Sequence, residues 1–301
     1  MQKTISYLPF RHRINYFFQK HVTKGVFLTD AYFTDRLQHA RNHLRFYRRF
    51  SPKRALETSL ELGTGWYPVV PISLFLSGAS TIYTVDISSL SNKENLLLTV
   101  QKFVDYHRAG KLAEYFEVKP GRMAVLRDLL TRQSELNFDD LTRRLHLKYL
   151  VQDARHLSID SSGIDLVHSN NTFEHVYPDI LEALLIEFRR ISRPGGILSH
   201  FVDMSDHFAH FDRSINIYHY LRFSDQQWAW IDNDIQPQNR WRISDYKALY
   251  QKLGIEIAHI ETRKGNVHQL QEVPLHHKYR TYPMSDLATS HCHIVSKTDD
   301  T

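Results

Sequence analysis

The chain of 301 residues contains a single cysteine, Cys292. A lone thiol excludes an intrachain disulfide framework and a multi-cysteine zinc site. That usage is the one expected of a cytoplasmic protein. Long apolar runs are missing too. The longest, around Val69 to Leu76, falls far short of the roughly 20 residues that span a bilayer. The opening stretch "MQKTISYLPFRHRINYFF" is basic, without an uninterrupted apolar core or a small-residue cleavage site. It does not read as a secretory signal. There is no internal repeat, no low-complexity tract and no RNA-binding motif, so no specific nucleic-acid partner is expected.

What is present is an ordinary globular composition, 42% hydrophobic and 24% charged. The length is near the upper limit for one core, which implies one domain with embellishments. Charge is unevenly placed. Residues 1–54 carry a net +10, against +5 for the whole chain, so the remainder is −5. "HARNHLRFYRRFSPKR" is the densest piece. It reads either as a solvated helix face or as a surface for an anionic partner, which leaves peripheral membrane contact open.

Residues 1–57 read as a helical, basic, aromatic-rich extension, broken at Pro9, Gly25 and Pro52. Their aromatic residues, Tyr7 through Phe50, predict that residues 1–54 fold onto the core as helices and partly cover its pocket. From residue 58 onward, short apolar runs alternate with helical spacing. Strands are expected at 58–62, 80–86, 148–152, 164–169 and 196–202. "YPVVPISLFLSG", "NKENLLLTVQKFVDYHRAGKL" and "YPDILEALLIEFRRIS" supply helices between them. The last should stop at "SRPGG". Such alternation argues for a parallel sheet with helices on both faces. Residues 113–147 and 204–242 interrupt it as helical insertions. After the helix "ISDYKALYQKLG", the runs "IEIAHIET" and "SHCHIVS" predict an antiparallel pair at one sheet edge.

The chemistry starts at "SLELGTGWYPVVP". A strand that ends in Gly63-Thr64-Gly65 and passes into a helix is a nucleotide-binding turn, because glycines allow a tight bend and close ligand approach. The third glycine of a dinucleotide site is absent. Trp66, Tyr67 and Pro68 stand there, and their bulk disfavours a pyrophosphate. Asp86 ends the second strand, where a carboxylate accepts ribose hydroxyls. Asp153 follows the third strand, within reach of an adenine amino group. Glu61 precedes the glycines and suits a charged amine. A ribose, an adenine and a cationic amino acid together describe S-adenosylmethionine.

At this point the chain resembles the class I S-adenosylmethionine-dependent methyltransferases, in their small-molecule branch. The resemblance runs from about 58 to 297. It rests on "LELGTGWYP", "YTVDIS", "VQDARHL", "IDLVHSNNTFEHV" and "RISRPGGILSHFVD", in the family's order. It implies a Rossmann-like fold with seven strands, mostly parallel, and an antiparallel edge strand. It also implies that Gly63 and Gly65 meet the cofactor through their backbone, that Asp86 holds ribose and Asp153 adenine, and that Asn170 flanks the methionine moiety or the acceptor. Glu61, Thr64, Pro68, Ile87 and Ala154 complete the expected cofactor contacts. Two other readings stay open: a nicotinamide-dependent oxidoreductase sharing the glycine turn, and a methyltransferase-like protein that only binds RNA or another anionic partner.

Acceptor residues should lie in segments after strand C-terminal ends. "DMSDHFAHFDRSINIYHYLRFSDQQWAWI" is aromatic, His-rich and acidic, which suits a sugar or polar ring. "SNNTFEH" replaces the Asn-Pro-Pro-Tyr type of loop found in amino-directed nucleic-acid enzymes. The expectation is oxygen methylation of a small molecule or glycan, and the basic N-terminus would fit a phosphate-bearing one. The base is sought among His175, His200, Asp203, Asp206, His207 and His210. His207 with Asp203 as its partner is preferred, without a metal. The alternative is magnesium on Asp203, Asp206 and His210.

Overall fold

The computed structural model describes residues 27–51, 55–232 and 237–298. The expected helices before residue 27, and the basic pair Lys53 and Arg54, lie outside these. Helix α1 spans Asp30–Phe50. Thr29 caps its start, its hydroxyl accepting from the Tyr32 N–H at 3.1 Å. Phe33, Leu37, Ala40, Leu44 and Tyr47 repeat at helical spacing and are buried. Burial of a large apolar side chain stabilises by about 1.5–3 kcal/mol, so this face fixes α1. Arg41, Arg45, Arg48 and Arg49 lie on the exposed face. The basic charge of these four arginines therefore points to solvent.

The seven strands are β1 (Thr58–Leu62), β2 (Thr81–Asp86), β3 (Leu147–Val151), β4 (Ile164–Asn170), β5 (Ser192–Asp203), β6 (Ile257–Lys264) and β7 (Thr289–Lys297). Their order in the sheet is β3-β2-β1-β4-β5-β7-β6. β1 pairs in parallel with β2 and with β4, and β2 in parallel with β3. β4 is buried along its whole length, as a strand covered on both faces must be. β7 runs antiparallel. The Thr298 N–H donates to the Gly196 carbonyl at 2.9 Å, just beyond the end of β7 and near the start of β5. The Met204 N–H donates to the Ser290 carbonyl at 2.7 Å, joining their opposite ends. Likewise the Gly265 N–H meets the Ala288 carbonyl at 2.8 Å, where β6 ends and β7 begins. β5 itself starts at Ser192, through "SRPGG", earlier than the expected 196.

The chain forms two compact units. One holds Leu28–Asn170, Ala183–Ser199 and the residues from Val295. In it, α2 (Val69–Leu76) follows β1 and is buried at every position. Pro71 falls in its first turn, where a missing N–H costs nothing. Helix α3 (Lys93–Arg108) is capped by Asn92. Helices α4 (Arg122–Thr131) and α5 (Phe138–Arg144) precede β3. Asn137 and Asp140 form a capping box on α5. Helix α6 (Pro178–Ile191) leads directly into β5.

The other unit holds Asn171–Glu182 and His200–Ile294. Helix α7 (Asp225–Ile231) contributes Trp228 to a core with Tyr218, Tyr220, Leu270, Tyr279 and Leu287. Helix α8 (Ile243–Lys252) starts on the Asp286 carboxylate, which accepts from the Ile243 and Ser244 N–H groups at 2.9 and 3.0 Å. Arg242 is fully buried and donates to the carbonyls of Met204, Asp286, Leu287 and Thr289. A buried guanidinium is tolerated when its donors are used this way. Short helices α9 (Val267–Gln271) and α10 (Met284–Leu287) lie in the connection between β6 and β7. Among the described residues, no helix is long and apolar enough to cross a membrane.

Candidate functional site

The expected cofactor residues lie in the first unit, at the C-terminal ends of β1, β2, β3 and β4. Gly63 and Gly65 have φ of 77° and 69°. These are left-handed values that favour glycine. The Gly63 N–H donates to the Val85 carbonyl at 2.8 Å, and the Gly65 N–H to Asp86 Oδ2 at 3.4 Å. A Cβ added at Gly65 would meet nothing within 4 Å, so the turn borders open space. Pro68 caps α2 without a side-chain bond.

Asp86 has its pKa raised by burial, against the opposing pull of the Gly65, Ser88 and Ile87 N–H groups. Ile87 beside it is 81% exposed. Asp153 differs from the expectation in its company. The Arg155 N–H and Nε each donate to Asp153 Oδ1, at 2.9 and 3.0 Å. That pairing holds the carboxyl down at about 2. Ala154, next in the chain, is buried.

Glu61 is 4% exposed. Burial pushes its pKa up to about 7; the Thr64 hydroxyl, the Asn170 amide and the Arg36 guanidinium oppose this only in part. Glu61 Oε2 and Thr64 Oγ1 are buried without a hydrogen-bond partner of good geometry. Asn170 Nδ2 donates to Glu61 Oε1 at 3.2 Å. Asn170 Oδ1 lies 2.9 Å from His43 Nε2, and His43 Nδ1 lies 2.8 Å from Ser199 Oγ.

Sequence reasoning missed His43 and Arg36. A signal was available. Tyr32, Arg36, His39 and His43 recur at i, i+4, i+7 and i+11, one stripe of a helix. A polar stripe beside an apolar one marks a helix that buries both.

The expected catalytic residues belong to the second unit. Asp203 ends β5 and accepts from the Ser205 N–H at 2.8 Å. His207 Nε2 is 3.4 Å from its Oδ2, and His291 Nε2 is 3.5 Å from its Oδ1. Burial opposes ionisation, yet His207, His291 and Ser205 hold this carboxyl far below the usual range. His207 begins a 3-10 turn, His207–His210, that Asp206 caps through the Phe208 N–H at 2.9 Å. Asp206 also faces His219 at 3.6 Å.

The His175 ring sits 4.9 Å from that of His207, edge to face. Its Nδ1 donates to the Pro237 carbonyl at 2.7 Å, and burial lowers its pKa to about 4. His210 is 5.8 Å from His207, ring to ring. His200 is fully buried within β5 and stacks on Phe173 at 4.2 Å. The group within metal-ligating reach among the described residues is Glu174, His175 and His207. It is a different set from the Asp203, Asp206 and His210 weighed for magnesium. His291 was missed by sequence reasoning, because β7 lies far away in the chain.

Residues 108–200 match the family model of the methyltransferase domain. The protein PH0226 from Pyrococcus horikoshii shares the fold, with a TM-score of 0.51 at 16% identity, covering 94% of this chain and 98% of that one. This stretch of the chain carries the methyltransferase-domain pattern, in line with the class I S-adenosylmethionine-dependent resemblance seen in the sequence. The matched stretch covers β3, β4, α6 and most of β5, and leaves the glycine turn outside it. Phosphoethanolamine N-methyltransferase 2 of Haemonchus contortus, in complex with S-adenosylmethionine, is similar at 13% identity and a TM-score of 0.45, covering 94% of this chain and 59% of that one. A candidate sarcosine dimethylglycine methyltransferase from Galdieria sulphuraria is similar at 11% identity and a TM-score of 0.47, covering 88% and 86%. No curated protein matches the chain in sequence. The match to the methyltransferase domain speaks for S-adenosylmethionine as the cofactor and against the nicotinamide reading. The residues fit that group. The methyltransferase has open space over its glycine turn, a carboxylate oriented by backbone amides, and a buried acid with one oxygen still to be satisfied.

Proposed function

We propose that this methyltransferase moves the methyl group onto a hydroxyl of a small polar molecule or glycan, with His207 as the base and Asp203 as its partner. S-adenosylmethionine supplies an electrophilic methyl on a sulfonium, a good leaving group. The C–S bond breaks as the C–O bond forms, and the hydroxyl proton must go to the protein. The observation that carries this reading is the pairing of His207 with an ionised Asp203. With Nε2–H donating to Asp203, the Nδ1 of a neutral His207 is left as the basic nitrogen. His207 is 22% exposed, so an acceptor can reach it.

In this proposal Glu61 takes the amino group of the cofactor, Asp86 its ribose and Asp153 its adenine. The exposed Ile87 offers an apolar face that the adenine ring would cover. Asp153 can serve while it holds Arg155, since a carboxylate offers about four acceptor positions.

The test is His207→Ala in a turnover assay against a panel of hydroxyl and amine acceptors, with and without EDTA. The expected result is a loss of about 100-fold or more on hydroxyl acceptors, with cofactor affinity unchanged and EDTA without effect. Activity confined to amines, surviving the substitution, would replace the base reading with amine methylation. Loss with EDTA and return with a divalent ion would assign Glu174, His175 and His207 to a metal.

A further inference from the structure

We infer that His43, on the helix before the glycine turn, is a positioning residue for the cofactor site, setting the orientation of the Asn170 amide and through it the donor that Glu61 receives. The inference rests on the reading of Glu61 as the acid for the cofactor amine, and it assigns a role in that site to α1, which lies outside the stretch that matches the family model.

The argument is one of donors and acceptors. Asn170 Nδ2 is 3.2 Å from Glu61 Oε1, so the amide nitrogen faces the carboxyl and the amide oxygen faces away. That oxygen is 2.9 Å from His43 Nε2. An amide oxygen only accepts, so His43 must carry its proton on Nε2. His43 is fully buried and burial takes its pKa down to about 3, so the ring has one proton only. Nδ1 therefore accepts, and the Ser199 hydroxyl at 2.8 Å must donate to it. The chain runs in one sense: Ser199 O–H to His43, His43 N–H to Asn170, Asn170 N–H to Glu61. An amide alone has two orientations of similar energy. Turned the other way, its oxygen would face a carboxylate, and its amino group would face a ring nitrogen already bearing a proton. With the proton on Nε2, His43 disfavours that alternative.

The elements packed around Glu61 place Arg36 and Tyr32 of α1, His168 of β4, Asp86 of β2 and Tyr149 of β3 toward it. Arg36 favours the ionised form and Asp86 opposes it. Within this group the Asn170 donor is the contact that His43 controls.

The test compares three variants, His43→Ala, His43→Gln and His43→Asn, in the full-length protein. Affinity for S-adenosylhomocysteine is measured by calorimetry from pH 6 to 9, alongside thermal stability. A Gln amide nitrogen can stand where Nε2 stands and still donate to Asn170. An Asn amide reaches only toward Ser199. The expected result is about tenfold weaker binding at pH 7 in the Ala and Asn variants, with the pH midpoint moved up. The Gln variant should stay within about threefold of the parent. The parent should also show the Nε2–H tautomer of His43 by nitrogen-15 NMR, a readout that does not depend on variant folding. An Nδ1–H tautomer would overturn the inference. So would equal affinity in all variants, or Gln behaving as Ala does. A parent protein that binds no S-adenosylhomocysteine would instead overturn the reading of the cofactor residues, and the inference with it.

Discussion

His43 and His207 are the same residue type, each beside an oxygen acceptor, and the two regions that hold them behave differently. His43 is fully buried. Its partners, an amide and a hydroxyl, are neutral. Burial takes its pKa down to about 3, which keeps the ring uncharged near neutral pH. His207 is partly exposed, and its partner is a carboxylate held ionised. One environment buries the ring among neutral groups; the other leaves it partly open to solvent beside a carboxylate. The lesson is that burial and partner charge, not the imidazole, separate a structural histidine from a candidate base.

Substitutions can break that contrast on one side at a time. The largest effect should come from Gly63→Val. A branched side chain at φ of 77° is strained, and the backbone must stay close to the ligand. S-adenosylmethionine binding should disappear in calorimetry, while the His207 ring resonances in NMR should be unchanged. Movement of both would show the two regions to be coupled. Asp86→Ala is next. Losing a charged hydrogen bond of about 1.5–3 kcal/mol should weaken binding by about 10- to 100-fold, with no effect on the His207 ring resonances. Unchanged affinity would remove the ribose role from Asp86.

The pH dependence sharpens the same contrast. Glu61 titrates at about 7 before the cofactor binds. A bound ammonium favours the ionised form and lowers that value, so binding releases a proton. Affinity should be constant well above pH 7 and fall as pH drops, by about tenfold at pH 6. Glu61→Gln should flatten the profile. A flat profile in the parent would mean that the amino group is held elsewhere. The smallest effect belongs to Arg155→Ala. Its pair with Asp153 is solvent-exposed, so stability should change by no more than about 1 kcal/mol, measured by denaturant titration. The Asp153 carboxyl should titrate higher without the guanidinium. A large loss of stability would show that the turn after β3 depends on this pair.

The sequence by itself determined the order of strands and helices, because each buried strand is a short apolar run bounded by turn residues. "TSLEL" became β1 with its boundaries unchanged, and Gly63 and Gly65 announced the turn through their backbone freedom alone. It also determined the pairing of Asp203 with His207, since four residues separate them and the turn between them is local. Tertiary structure decided the rest. Only the folded chain starts β5 at Ser192, ahead of Pro194. Only β7 brings His291 to Asp203. Within "HARNHLRFYRRF", His43 falls on the stripe of Tyr32, Arg36 and His39, but nothing local says which groups that stripe meets. Which side of a helix is buried depends on the surface it meets, and β4 with its Asn170 is 127 residues away. Hydrogen bonds between groups so far apart in the chain are set by packing, which no local pattern encodes.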